Sequence, residues 1–137
     1  FKKFNDTYGH DVGDQVLKLV ASKIAEVTGG GKAFRYGGEE FTIIFSRKDT
    51  SSILIHLEEV LKTIENYNIV IRDEKRKKKT KNQRNKAQEK SNKKTVSVTI
   101  SIGVADHQNS EAFDQTMKRA DLALYRAKKK GRNQICV

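Results

Sequence analysis

Two runs of strand-forming residues, Ala33-Phe34-Arg35-Tyr36 and Phe41-Thr42-Ile43-Ile44-Phe45, are separated only by Gly37-Gly38-Glu39-Glu40. A chain with so little room between two strands has to turn back on itself. Tight hairpin turns need a positive φ, which glycine adopts without steric cost. The spacing therefore predicts an antiparallel hairpin whose tip carries two adjacent acids.

Helical periodicity lies on both sides of this hairpin. Val16, Val20, Ile24 and Val27 recur at three- and four-residue intervals in a helix that the pattern starts at Asp14 and that Gly29-Gly30-Gly31 ends. Residues 51–66 repeat the pattern with Ile53, Leu57, Leu61 and Ile64. Phe113, Met117, Ala120, Leu124 and Ala127 mark a third helix, with Gly131 suited to its end. Ile69-Val70-Ile71 reads as a short strand. Val96, Val98, Ile100, Ile102 and Val104 alternate with Ser97, Thr99, Ser101 and Gly103, the period of a strand with one face in the core. Residues 1–8 read as mixed, ending in a turn at Tyr8-Gly9-His10, and 135–137 suit a closing strand. The order predicts an α/β (α+β) domain with a central, mostly antiparallel sheet flanked by helices. A length of 137 residues suits one domain, 1–137.

One stretch stands outside that scheme. Residues 72–94 hold twelve Lys and Arg against three acids, nine of the chain's eleven net positive charges. With almost no apolar residue, the stretch cannot build core, so the domain carries a basic insertion at about 73–95. A solvated arm is the plain reading, and a patch for an acidic partner is the other. The run has no aromatic, which argues against a specific nucleic-acid reader. Cys136 is the one cysteine, so neither an internal disulfide nor a cysteine metal cluster is available. No apolar run approaches the ~18 residues of a membrane span. A cytoplasmic domain is expected, in a parent that other segments are free to anchor to a membrane.

The hairpin tip is where chemistry is expected. Adjacent carboxylates such as Glu39 and Glu40 repel each other, and a divalent cation relieves that repulsion; hard oxygen ligands suit Mg²⁺ or Mn²⁺. Gly37 and Gly38 let backbone N–H groups approach a phosphate. A nucleoside triphosphate with its metal fits such a tip. Taken alone, the tetrapeptide fits a solvated acidic turn at least as well.

Its surroundings narrow the choice. Arg35-Tyr36-Gly37-Gly38-Glu39-Glu40-Phe41, the segment Phe1 to Asp14, Val98 to Ala105 and Ala120 to Asn133 together resemble four blocks, in order, of the GGDEF domain family, the diguanylate cyclases. The resemblance implies a palm-like, nucleotide-cyclase or ferredoxin-like fold. It implies an enzyme, a nucleotidyltransferase that condenses two GTP into cyclic di-GMP with release of two pyrophosphates. It also implies a homodimer in which each subunit holds one GTP, with Mg²⁺ (or Mn²⁺) as cofactor. Carried onto this sequence, it makes Glu39 and Glu40 the catalytic, metal-binding acids and sets Gly37 and Gly38 beneath the phosphates. Asn5 and Asp14 become the guanine readers, and Lys2, Lys128 and Arg132 the phosphate contacts. A carboxylate at Asp14 suits guanine, which offers an N1–H and an N2–H where adenine offers no such pair. A degenerate GGDEF domain that binds GTP or dimerises without turnover is the alternative.

Two departures carry expectations of their own. The resemblance calls for an Asp-x-Asp stretch on a first core strand ahead of Phe1, one acid of which binds metal. Residues 1–137 alone are therefore expected to show little cyclase activity, and the longer parent, with an upstream sensory or regulatory domain, to be active. Where many members carry an Arg-x-x-Asp product site, this chain has Thr28-Gly29-Gly30-Gly31, so no product inhibition is expected there.

Overall fold

The computed structural model describes residues 1–71 and 94–137. In chain order these form α1 (Lys2–Tyr8), α2 (His10–Ala25), β1 (Lys32–Gly37), β2 (Glu40–Ile44), α3 (Thr50–Glu65), β3 (Ile69–Ile71), β4 (Lys94–Val96), β5 (Ile102–Gly103), α4 (Phe113–Lys129) and β6 (Ile135–Cys136). The architecture is α+β, as expected. The basic insertion lies outside the described residues, save for Lys94 and Thr95, which belong to β4 and pair with Ile71 and Val70.

The hairpin forms where the glycines require it. β1 and β2 pair antiparallel through Phe34↔Thr42, Arg35↔Phe41 and Gly37↔Glu40, with a register shift between Arg35 and Gly37. Gly38, with φ 52°, begins the two-residue turn. Ala33, Phe41 and Ile43 face inward and pack on the main core, whereas Phe34 and Tyr36 point to the exposed side.

That core is built by helical stripes. Val16, Val20 and Ile24 of α2 meet Val60 and Ile64 of α3 and Ile69 of β3. A second cluster joins Ile53 and Leu57 of α3 to Val104, with Ile43, Phe45, Ile102 and Ile135 packed against it. Burying each such side chain stabilises the fold by about 1.5–3 kcal/mol. Asp49 caps α3, its carboxylate accepting from Ser52 N at 2.9 Å.

Three features differ from the sequence reading. Residues 2–8 are helical because Phe1, Phe4 and Tyr8 fall on one face and stack, with ring centroids 5.5 and 4.7 Å apart. Gly9, with φ 89°, separates this turn from α2, which starts at His10 rather than Asp14. The alternating stretch 96–104 is not one continuous ladder. β4 ends at Val96 and β5 starts at Ile102, and the described ladders are three pairs, β1–β2 and β3–β4 antiparallel and β5–β6 parallel. Val98 and Ile100 still pack on the main core, since alternation reports which face is covered and not what pairs at the edge. On α4, Phe113 is 57% exposed, and the buried positions are Ala123 and Ala127.

The loop before α4 is tied down by one carboxylate. Glu111 Oε2 accepts from Gln108 N at 3.0 Å, from Thr116 Oγ1 at 2.9 Å and from Arg119 Nη2 at 2.6 Å. Arg119 Nη2 also donates to the Asp106 carbonyl, and Asp106 Oδ1 accepts from Thr50 Oγ1 of α3. The Arg119 hydrogen bond, with help from the Gln108 N–H, lowers the Glu111 carboxyl from 4.5 to about 2. A carboxyl depressed on folding stabilises above its unfolded value and loses that contribution as pH falls. The contribution from Glu111 is thus expected to fade between about pH 4.5 and 2. Urea unfolding of Glu111→Gln should show a smaller loss of stability across this window than the parent chain. Identical pH profiles would contradict it.

Candidate functional site

The hairpin tip exposes both acids. Glu39 occupies the second position of the turn and Glu40 opens β2; both are exposed, as are Gly37 and Gly38. A Cβ added at either glycine would meet nothing within 4 Å, so the tip is unencumbered. The two carboxylates are hard oxygen donors on adjacent residues, a set that suits a Mg²⁺-class cation together with oxygens from elsewhere. Among the described residues, no three His, Cys, Asp or Glu side chains gather as a metal cluster.

Asn5 lies half-buried on α1, and its side chain leans on Gly13 of α2. A Cβ at Gly13 would overlap Asn5 Oδ1, which explains a glycine inside a helix. Asp14 follows at once and is exposed. The α1–α2 packing thus sets Asn5 against the residue that precedes Asp14. Asn5 Oδ1 is buried and has no hydrogen-bond partner among the described residues. Asn133 Oδ1 is in the same state, and such acceptors are costly to leave unpaired. Lys2, at the first residue of α1, is exposed.

One core holds these two groups. Phe4, which precedes Asn5, and Phe41, which follows Glu40, pack on the same cluster of Val16, Val20 and Ile24. Lys128 and Arg132 lie at the C-terminal end of α4. α4 ends at Lys129, so Arg132 lies beyond the helix, and the four-residue spacing does not put the two on one helical face. A Schellman turn closes the helix: Gly131 takes φ 114°, Arg132 N donates to Ala127 O at 3.0 Å and Gly131 N to Lys128 O at 3.4 Å. Arg132 itself has φ 63°. Asn133 then anchors the exit, Nδ2 donating to Glu65 Oε1 on α3 at 2.9 Å. Both cations are exposed.

Thr28, at the first of the positions lacking the charged product motif, bonds to α3 instead. Its Oγ1 lies 2.7 Å from His56 Nδ1 and donates to Glu59 Oε2 at 3.3 Å. A shallow apolar recess between Leu19, Val20, Ile64, Tyr67, Ile69 and Val98 includes none of the candidate residues.

One residue at the tip went unassigned in the sequence reading. Arg35 donates from Nε and Nη2 to the Gly38 carbonyl, at 3.1 and 2.6 Å. A signal was available: Arg35, two residues ahead of the glycine turn, alternates with Ala33 on β1 and is exposed there, in register with Phe41.

Comparisons with known proteins identify the family. Residues 1–134 match the family model described as diguanylate cyclase, GGDEF domain. Diguanylate cyclase A of Treponema denticola is 35% identical over 137 residues, covering 98% of this chain and 32% of that protein. The coiled coil and GGDEF domain of DgcB from Caulobacter crescentus, solved with c-di-GMP, superposes with a TM-score of 0.79 at 34% identity, over 98% of this chain and 62% of that one. Diguanylate cyclase SiaD of Pseudomonas aeruginosa, solved with its activator SiaC, gives a TM-score of 0.77 at 31% identity, over 98% and 44%. The chain spans about a third of the length of the curated relatives it matches. The fold is the palm-like one of these structures, and among the described residues no helix is long and apolar enough to cross a membrane.

Proposed function

Because this chain belongs to the GGDEF family of diguanylate cyclases, we propose that it forms the part of a cyclase that joins two GTP molecules into cyclic di-GMP. The observation that carries this reading is the exposed, unencumbered acid turn Gly37-Gly38-Glu39-Glu40 at the tip of the β1–β2 hairpin. Two copies face each other. The 3′-oxygen of one GTP bonds to the α-phosphorus of the other as the bond to pyrophosphate breaks, and the second bond forms the same way.

Each residue has a role in that arrangement. Asp14 accepts the N1–H and N2–H of guanine, and the unpaired Asn5 Oδ1 supplies a neighbouring acceptor. Lys2, Lys128 and Arg132 contact the triphosphate. Gly37 and Gly38 keep side chains away from it. Glu39 and Glu40 would hold a Mg²⁺ or Mn²⁺ ion, and Glu40 would accept the proton of the attacking hydroxyl. The bound ion supplies neutralisation of the charge that builds on the phosphates. A GTP-using domain of this kind works in the cytoplasm, under an upstream sensory or regulatory domain; the complex of SiaD with its activator supports a regulatory partner.

Base selection offers the test. In the full-length protein, Asp14→Ala should cut GTP turnover by about 10–100-fold, because the N1–H and N2–H donors of guanine lose their acceptor. The preference for GTP over ATP should shrink in step. Chromatographic quantification of the cyclic dinucleotide products would check this. Unchanged discrimination would remove Asp14 from base reading.

A further inference from the structure

We infer that Arg35 is a positioning residue for the acid turn, acting through the Gly38 carbonyl. The inference rests on the reading of Glu39 and Glu40 as metal ligands and adds a residue to that machinery. The turn has little to fix it from within. Gly37 and Gly38 accept a wide range of backbone angles, and no packing limits them, since a Cβ on either meets nothing within 4 Å. Glu39 and Glu40 side chains are exposed and repel each other. Yet a metal site needs its carboxylates held in one geometry before the ion arrives, and a loose turn spends binding free energy on ordering them.

Arg35 supplies the missing constraint. Its Nε and Nη2 converge on one oxygen, Gly38 O, at 3.1 and 2.6 Å. That oxygen belongs to the peptide joining Gly38 to Glu39, so fixing it fixes the plane from which the Glu39 N–H and side chain project. The guanidinium starts from a rigid element, because Arg35 sits in the β1–β2 ladder opposite Phe41, whose ring is packed in the main core. The planar fork matters, since an ammonium presents no such pair of parallel donors.

Positioning and bare charge predict opposite signs. A cation beside a cation site repels the metal, so if charge were all that Arg35 contributed, removing it would tighten binding. If Arg35 positions the turn, removing it loosens binding. The experiment is a Mn²⁺ titration of the full-length protein, read from paramagnetic broadening of the Gly38 and Glu39 backbone amides. Arg35→Ala is expected to weaken Mn²⁺ binding at the turn by about tenfold and to move the Glu39 amide resonance. Amides of α2 and α4 should stay in place, which excludes a folding defect. Arg35→Lys keeps the charge and one donor and should recover only part of the loss. Binding that is unchanged or tighter in Arg35→Ala, or complete recovery in Arg35→Lys, overturns the inference. Absence of broadening at the turn in the parent chain would instead sink the metal reading of Glu39 and Glu40, and this inference with it.

Discussion

Glu40→Gln in the full-length protein is expected to lower cyclic di-GMP formation by about 10²–10⁴-fold without loss of fold. The carboxylate sits at the first residue of β2, exposed, with its backbone already committed to pairing with Gly37. An amide of the same shape fits there without new packing. It does not take up a proton at neutral pH, and it is a poorer ligand for a hard cation. Stability should therefore remain close to that of the parent, since exposed substitutions of this kind usually change it by less than ~0.5 kcal/mol. Product quantification alongside a thermal melt separates the two effects. Turnover within a fewfold of the parent would refute the role given to Glu40.

Gly103→Val should be the most destabilising single change in the described chain. β5 runs so close to α4 that a Cβ at Gly103 would overlap the backbone N of Leu124 and the carbonyl of Ala120. Backbone cannot rotate aside as a side chain does, so the strand or the helix has to move. That displacement opens the contact of Ala123 and Ala127 with Cys136, which are 0%, 0% and 8% exposed. Overpacking of this kind costs about 3 kcal/mol or more, equivalent to roughly 10 °C in Tm for a chain of this size. Gly37→Ala is the control, because its Cβ meets nothing within 4 Å and should leave Tm nearly unchanged. Equal melting temperatures for Gly103→Val and the parent would show that α4 and β5 are not held together as described.

The two substitutions differ in how visible their reasons are in the sequence. The hairpin was legible because two strand runs and two glycines leave only one local solution, whatever surrounds them. The three long helices were legible because their apolar residues repeat every three to four positions. The short first helix was not: three aromatics over eight residues are too few to distinguish a helical face from chance, and they become one only when Phe4 finds the main core. Gly103 looked like one member of an alternating strand, and its need for empty space came from a helix some twenty residues later in sequence.

The candidate residues divide in the same way. Glu39 and Glu40 were placed by local rules, as neighbours on a turn. The packing of Phe4 and Phe41, neighbours of Asn5 and Glu40, on one cluster was not, and Arg35 gained meaning only when its fork was seen on Gly38 O. By itself, the sequence determined which segments reverse, which coil and where acidic charge collects, because those outcomes follow from the φ range of glycine and from periodicities of two and 3.6. The tertiary structure alone decided which distant residues stand together, which side-chain oxygens are left without a donor and which glycines have no room to change, because these depend on packing between segments apart in the chain.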